Sequence, residues 1–75
     1  MTAHGINHTE DLLNRFSYHA PKGDQIERYQ KIRDAGLQLA TLIVGECPSS
    51  REQSLSLTHI EDAIMWANAA IARHE

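Results

Sequence analysis

The sequence predicts an all-α fold: a short N-terminal helix and then a two-helix antiparallel hairpin, assembled into a homo-oligomer. Three observations lead there. Apolar residues recur three and four apart through two long stretches, and no run alternates strictly enough to make a strand. The breaks around Pro21-Lys22-Gly23 and Cys47-Pro48 cut the chain into three segments. Residues that start helices stand at the head of each segment. Residues 9–75 are expected to form one helical-hairpin domain, and residues 1–8 an N-terminal extension able to fray.

The first helix is short. Thr9 is placed as its N-cap, Glu10 and Asp11 suit the positive end of the helix dipole, and Leu12, Leu13 and Phe16 form its apolar patch. It should end near Phe16, because the approach to Pro21 pushes residues out of the helical region. The second helix is expected from Asp24, with Asp24 and Glu27 as cap and third residue of a capping-box variant, to about Gly45. Its stripe reads Ile26, Tyr29, Arg33, Gly36, Leu39, Ala40 and Ile43, with Ile32, Leu37, Leu42 and Val44 widening it. Arg33 is a charge inside an apolar stripe. Gly36 costs about 1 kcal/mol against alanine in a helix interior, so it is either a tolerated defect or a point where another backbone comes close.

The third helix begins at a capping box made by Ser49 with Glu52 or by Ser50 with Gln53. Its stripe is Leu57, Ile60, Ala63 or Ile64, Ala67 and Ile71. Met65, Trp66, Ala69, Ala70 and Ala72 cover much of the remaining circumference, interrupted by Asn68. A helix apolar nearly all round must be buried on more than one side, and a two-helix hairpin supplies one. The third helix is therefore read as the core of an oligomer.

Size strengthens this reading. A chain of 75 residues buries only about 60% of the surface its unfolded form exposes and usually needs a disulfide, a metal or a partner. Cys47 is the only cysteine, which excludes an intrachain disulfide and suits a reducing, cytoplasmic setting. The five histidines include no recognised metal-ligand motif; His4 and His8 are four apart but flank Gly5 in the terminal segment. No metal or cofactor is expected. The longest apolar run, Leu39 to Gly45, is far below the ~20 residues that cross a bilayer, so no membrane partner is expected. Ten acids against seven Lys and Arg give a net charge of −3, a poor surface for duplex nucleic acid. A small ligand with two or three phosphates needs only a few cations.

Enzyme signatures are missing: no Gly-rich phosphate loop, no HExxH and no nucleophile elbow. Glu61 and Asp62 are adjacent on a helix and point about 100° apart, as solvated charges do. A helix-turn-helix DNA reader would need cations along its second helix, and the middle of the third helix is apolar.

The bend "RFSYHAPKGD", Arg15 to Asp24, is the anomaly. The chain has four aromatic residues, and Phe16 and Tyr18 lie here among Arg15, His19 and Lys22. Rings on non-helical backbone beside cations are the parts of a nucleobase platform. They equally serve to pack a bend onto a hairpin. Tyr18 is the better ligand candidate, since its hydroxyl favours a half-exposed position; Phe16 is assigned mostly to the core. For His19 a local backbone hydrogen bond and a ligand contact stand level. Arg33 needs an anion, which an acid from another chain or a ligand phosphate would supply.

"FSYHAP" (Phe16 to Pro21), "RYQKIRD" (Arg28 to Asp34) and "IEDAIMWANAAIARH" (Ile60 to His74) resemble the phage anti-CBASS sponge family, small proteins that sequester cyclic oligonucleotides. The resemblance covers nearly the whole chain from Phe16 on, and "MWANAAIAR" is its most specific part. It implies helical hairpins assembled into compact homo-hexamers. Cyclic dinucleotides would bind in pockets shared by two protomers, and cyclic trinucleotides at separate sites near the three-fold axis. The signal is held without cleavage, so immune effectors in the infected bacterial cytoplasm stay inactive. By motif, Tyr18 would stack on a base, Arg33 would hold a phosphate, and Arg73 would serve the trinucleotide site. Phe16, His19 and Lys22 follow by proximity only. Some members carry lysine where Arg33 stands, and a guanidinium forks onto phosphate oxygens where an ammonium does not. The alternative from another class is a helical oligomeric adaptor that binds a protein partner.

Overall fold

The computed structural model describes residues 8–75, which form three helices: α1 (His8–Phe16), α2 (Gln25–Glu46) and α3 (Arg51–His74). No strand occurs among the described residues. Residues 1–7, with His4 and most of the expected extension, lie outside them. No helix is long and apolar enough to cross a membrane.

α1 starts at His8, one residue before the expected cap, so Thr9 is inside the helix and the cap position is not among the described residues. An Arg15–Asp11 ion pair at 3.0 Å links successive turns on its surface. No residue of α1 is buried.

The entry to α2 differs from the expected capping box. Asp24 precedes the helix, but its side chain accepts no backbone hydrogen bond; its φ of −88° and ψ of 10° lie outside the extended region that a side-chain cap uses. Gly23, at φ 58°, makes a left-handed step that other residues take only under strain. This turn brings the Gln25 amide N–H to the Lys22 carbonyl at 3.1 Å, while the Lys22 N–H donates to Gln25 Oε1 at 3.1 Å. Gln25 Oε1 thus closes the turn before α2, accepting an N–H that lies outside the helix, and α2 has no side-chain cap. Gln25 is also the most buried polar side chain, at 4% exposed, and its Nε2 reaches Glu75 Oε1 at 3.5 Å.

α2 ends where Pro48 requires it. Cys47, the residue before the proline, is extended (ψ 144°), and its N–H closes the last turn on the Ile43 carbonyl at 2.9 Å. α3 then starts at Ser50, whose Oγ accepts the Gln53 N–H at 3.1 Å. Of the two capping boxes the sequence allows, the Ser50–Gln53 pair forms. Its return half differs: Gln53 Nε2 donates across the turn to the Cys47 carbonyl at 3.0 Å.

α2 and α3 are the packed pair. Their contacts run in opposite senses: Cys47 meets Gln53, Gly36 meets Ile64 and Ile60, and Arg28 meets Glu75. At Gly36 the helices close up. A Cβ there would stand 2.8 Å from both Cγ1 and Cδ1 of Ile64. The glycine is thus a contact position, but a side chain rather than a second backbone comes down on it. Ile64, not Ala63, lies on the inner stripe of α3 with Leu57, Ile60, Ala67 and Ile71.

This contact turns α2 slightly from the expected phase. The inner stripe is Gln25, Tyr29, Ile32, Gly36, Ala40 and Ile43, so Ile32 faces α3 where Arg33 was expected, and Ile26, Arg33 and Leu39 are exposed. Both phases satisfy the 3.6-residue period; the fit of Ile64 onto Gly36 selects one.

The core is very small. Ile71, at 8% exposed, is the one buried hydrophobic side chain among the described residues. The radius of gyration is 16.3 Å, against about 11 Å for a compact domain of this length. Leu37, Leu42, Val44, Met65 and Trp66 stay largely exposed on the long helices, as do Leu12 and Leu13 on α1.

At the open end of the pair, Arg28 forks onto Glu75: Nη1 to Oε1 and Nη2 to Oε2, each at 2.7 Å, with Asp24 adding a 3.5 Å contact. The hydrogen bonds from Arg28 hold the Glu75 carboxyl below its ordinary value, and the same fork raises Arg28. A carboxyl with a lowered folded pKa stabilises the fold above its ordinary value and loses that contribution as pH falls through the folded one.

Two outcomes follow from these contacts. Gly36→Ala gains about 1 kcal/mol of helix propensity but overpacks Ile64 at a cost of about 1–3 kcal/mol. Urea denaturation should show a net loss, and Gly36→Val a larger one; a more stable Gly36→Ala would mean that Ile64 yields freely. Glu75→Gln should melt below wild type at pH 7, and the two curves should merge in acid, once pH has fallen through the lowered value of the folded carboxyl. A gap that persists in acid would assign the effect to packing instead.

Candidate functional site

The candidate site is built from the bend and the seam between α2 and α3. Residues 17–22 are non-helical, and they carry Tyr18 and His19 past the end of α1. Tyr18 is 85% exposed and Phe16 84% exposed, the two most exposed large apolar side chains among the described residues. Phe16 therefore joins no core formed by the described residues, contrary to the expectation. Neither ring staples the bend to the helices.

His19 is already engaged. Its Nε2 lies 2.7 Å from the Asn14 carbonyl, which can only accept, so Nε2 carries the proton and donates. This bond satisfies one of the open carbonyls at the end of α1 and fixes the bend. Of the two roles the sequence left open, the local one is the one formed. Lys22 is exposed on the bend, and its charge helps to depress Glu75, so it sits toward the Arg28–Glu75 pair.

Arg33 is exposed at the seam and lines two clefts. The larger, of about 820 Å³, runs along the seam past Gly36, Ile60, Ile64 and Met65 to Asn68. The smaller, of about 250 Å³, lies on the other side of Arg33 and is walled by His19, Tyr29, Asn68, Ala69 and Ala72. Arg15 pairs with Asp11 and Arg28 with Glu75 and Asp24, but no acid of the described residues reaches Arg33. A guanidinium has five N–H donors and no acceptor. Here none of them is engaged by an acid of the described residues, and Glu61 and Asp62 line the larger cleft with it.

Arg73 belongs to a different face. Its guanidinium carbon lies 6.0 Å from the centre of the Trp66 ring, a cation–π contact one heptad apart on α3. Five residues separate Arg73 from Asn68, which at 100° per residue places them about 140° apart around the helix. The structure thus brings His19 and Arg33 to one cleft, leaves Tyr18 and Phe16 projecting from the bend, and sets Arg73 elsewhere.

Two residues were not singled out from sequence. Trp66 counted as part of an apolar circumference, although its seven-residue spacing from Arg73 was a readable signal. Asn68 was visible as the one polar break in "AIMWANAAIA" and was given no role. Among the described residues, no group of three or more His, Cys, Asp or Glu is placed to hold a metal ion.

Arg33 offers a fork for a phosphate or carboxylate, Tyr18 an open ring face for stacking, and the clefts apolar walls for a flat ligand. Comparison with curated proteins and with solved structures gives no match. The family model of the Acb2/Tad1 hairpin domain matches residues 8–72, from the first turn of α1 to the last turn of α3, taking in the bend, the seam and Arg33. By that match this chain belongs to the Acb2/Tad1 hairpin family, the anti-CBASS sponges of cyclic oligonucleotides.

Proposed function

We propose that this protein sequesters cyclic oligonucleotide immune signals without cleaving them, and so keeps CBASS-type antiphage effectors inactive in the cytoplasm of an infected bacterium. Cyclic dinucleotides are the principal ligands and cyclic trinucleotides a second class. The observation that carries this reading is Arg33, a cation on the cleft rim that no acid of the described residues pairs with, Glu61 and Asp62 of the larger cleft included. In the free chain it lacks the partner that a dinucleotide phosphate would provide. Tyr18 is the stacking ring and Arg33 the phosphate anchor; Phe16 and Lys22 flank them. His19 acts through the bend that it holds. Arg73, backed by Trp66, serves the trinucleotide.

The working unit is an antiparallel helical hairpin, residues 9–75 as one domain, assembled into a homo-hexamer. The exposed apolar faces of α2 and α3 and the uncovered rings of the bend support assembly, since patches of this kind are rare on monomers. A pocket shared by two protomers would double each cation, so an acidic chain can still hold a doubly anionic ligand. Those same faces favour the second reading, an oligomeric adaptor for a protein partner.

One experiment separates the two. The purified protein is incubated with a panel of cyclic di- and trinucleotides, separated from free ligand and heated to release what it retained. Intact nucleotide is expected in the supernatant. Cleaved nucleotide would make the protein an enzyme, and retention of none would sink the sponge. A ligand at 100 times its dissociation constant should also add about 2.7 kcal/mol of stability, whereas an adaptor would show no thermal shift.

Arg33→Ala is expected to weaken dinucleotide binding by about 1.5–3 kcal/mol, the range for hydrogen bonds to a charged group, and Tyr18→Ala by about 1–3 kcal/mol. Neither should change the mass measured by light scattering, expected near six times the 8.4 kDa of the chain. Normal binding by both variants would move the site elsewhere.

A further inference from the structure

Asn68 Oδ1 is closed off from solvent and accepts no hydrogen bond, the one such side-chain atom among the described residues. A buried amide oxygen without a donor carries the full desolvation cost of an unmade bond, and an orphan of this kind calls for an explanation. Its position supplies one. Arg33 on α2 and Asn68 on α3 both line both clefts, so the two side chains border the same space. An acceptor with no donor thus shares cleft walls with a cation that no acid of the described residues pairs with.

The other donors on these walls are few. The His19 imidazole N–H is engaged by the Asn14 carbonyl. The Tyr29 hydroxyl, on the wall of the smaller cleft, is the remaining rival.

We infer that Asn68 is a positioning residue for Arg33: when an anion is bound, Asn68 Oδ1 accepts one guanidinium N–H and holds the fork toward the ligand. A bidentate contact to phosphate uses two of the five N–H groups, which leaves a donor for the amide oxygen. Arg33 is exposed on a flexible stem, and fixing such a side chain opposes binding unless something in the protein shares the task. The bond would also satisfy the oxygen that the free chain leaves orphaned. This inference rests on the reading of Arg33 as the phosphate anchor.

The test is a double-mutant cycle read by titration calorimetry with cyclic di-AMP and cyclic di-GMP. Asn68→Ala should weaken binding about tenfold, or about 1.4 kcal/mol, and should weaken it no further in an Arg33→Ala background. Because the substitution removes an orphan, the melting temperature of the free protein should hold or rise. Tyr29→Phe should leave the effect of Asn68→Ala intact.

Four outcomes overturn the inference: unchanged affinity in Asn68→Ala, an equal loss in both backgrounds, an effect that vanishes in Tyr29→Phe, or a lower melting temperature with unchanged affinity. They would mean, in turn, no role, direct contact with the ligand, a bond to Tyr29, and a structural role only. Should wild type bind neither dinucleotide, the sponge reading falls separately, and inorganic pyrophosphate becomes the probe. The Arg33 Nε–H resonance should then shift and sharpen with pyrophosphate in wild type and not in Asn68→Ala. Identical behaviour of the two proteins would overturn the inference.

Discussion

The seating of Ile64 on Gly36 is the contact from which the placement of the other side chains follows. Two helices joined by a short turn can rotate about their axes at little cost when few side chains interlock. The bare backbone at Gly36 gives Ile64 one place to rest, with its Cγ1 and Cδ1 where a Cβ would otherwise be. That contact fixes which face of each helix looks inward. With it Arg33 lies on the rim, Asn68 lines the same clefts, and Arg28 meets Glu75 at the far end. A glycine that weakens its own helix thus defines the site.

Around this contact the chain has little to hold it. Among the described residues one apolar side chain is buried, and the ends are closed by polar devices rather than by core. Gln25 closes the turn before α2 and reaches Glu75, Ser50 caps α3, and Arg28 forks onto Glu75. Exposed ion pairs of this kind contribute little each. The apolar surface left on α2, α3 and the bend is the larger unused resource.

Charge is divided by position. Arg15 and Arg28 are held by acids on their own or the neighbouring helix, Arg73 leans on Trp66, and Lys22 lies in the field of Glu75. Arg33 keeps its donors, so the net charge of −3 says nothing against an anionic ligand at that one place. His19 shows the converse. Its residue type suggested ligand contact as readily as structure, and its hydrogen bond to Asn14 gives it the structural task.

The sequence by itself determined the three helices and several of their limits. Period and proline chemistry act locally, so the end of α1 at Phe16 and the stop of α2 before Pro48 were legible from neighbours a few positions away, and the start of α3 was narrowed to two capping boxes. The bend was legible too, because Pro21 and Gly23 restrict the backbone wherever they occur. The motifs around Tyr18, Arg33 and Arg73 were legible as a family pattern. What only the tertiary structure decided was rotation and accessibility. A 3.6-residue period allows two phases that place Ile32 or Arg33 inward, and hydrophobicity alone does not choose between them. The Gln25–Lys22 contact depends on the left-handed Gly23 turn, Glu75 finding Arg28 depends on the helices running in opposite senses, and the orphaned oxygen of Asn68 is visible only in the packed structure. Each of these is a contact between residues far apart in the chain or a turn geometry that composition does not encode, and so each had to wait for the packing.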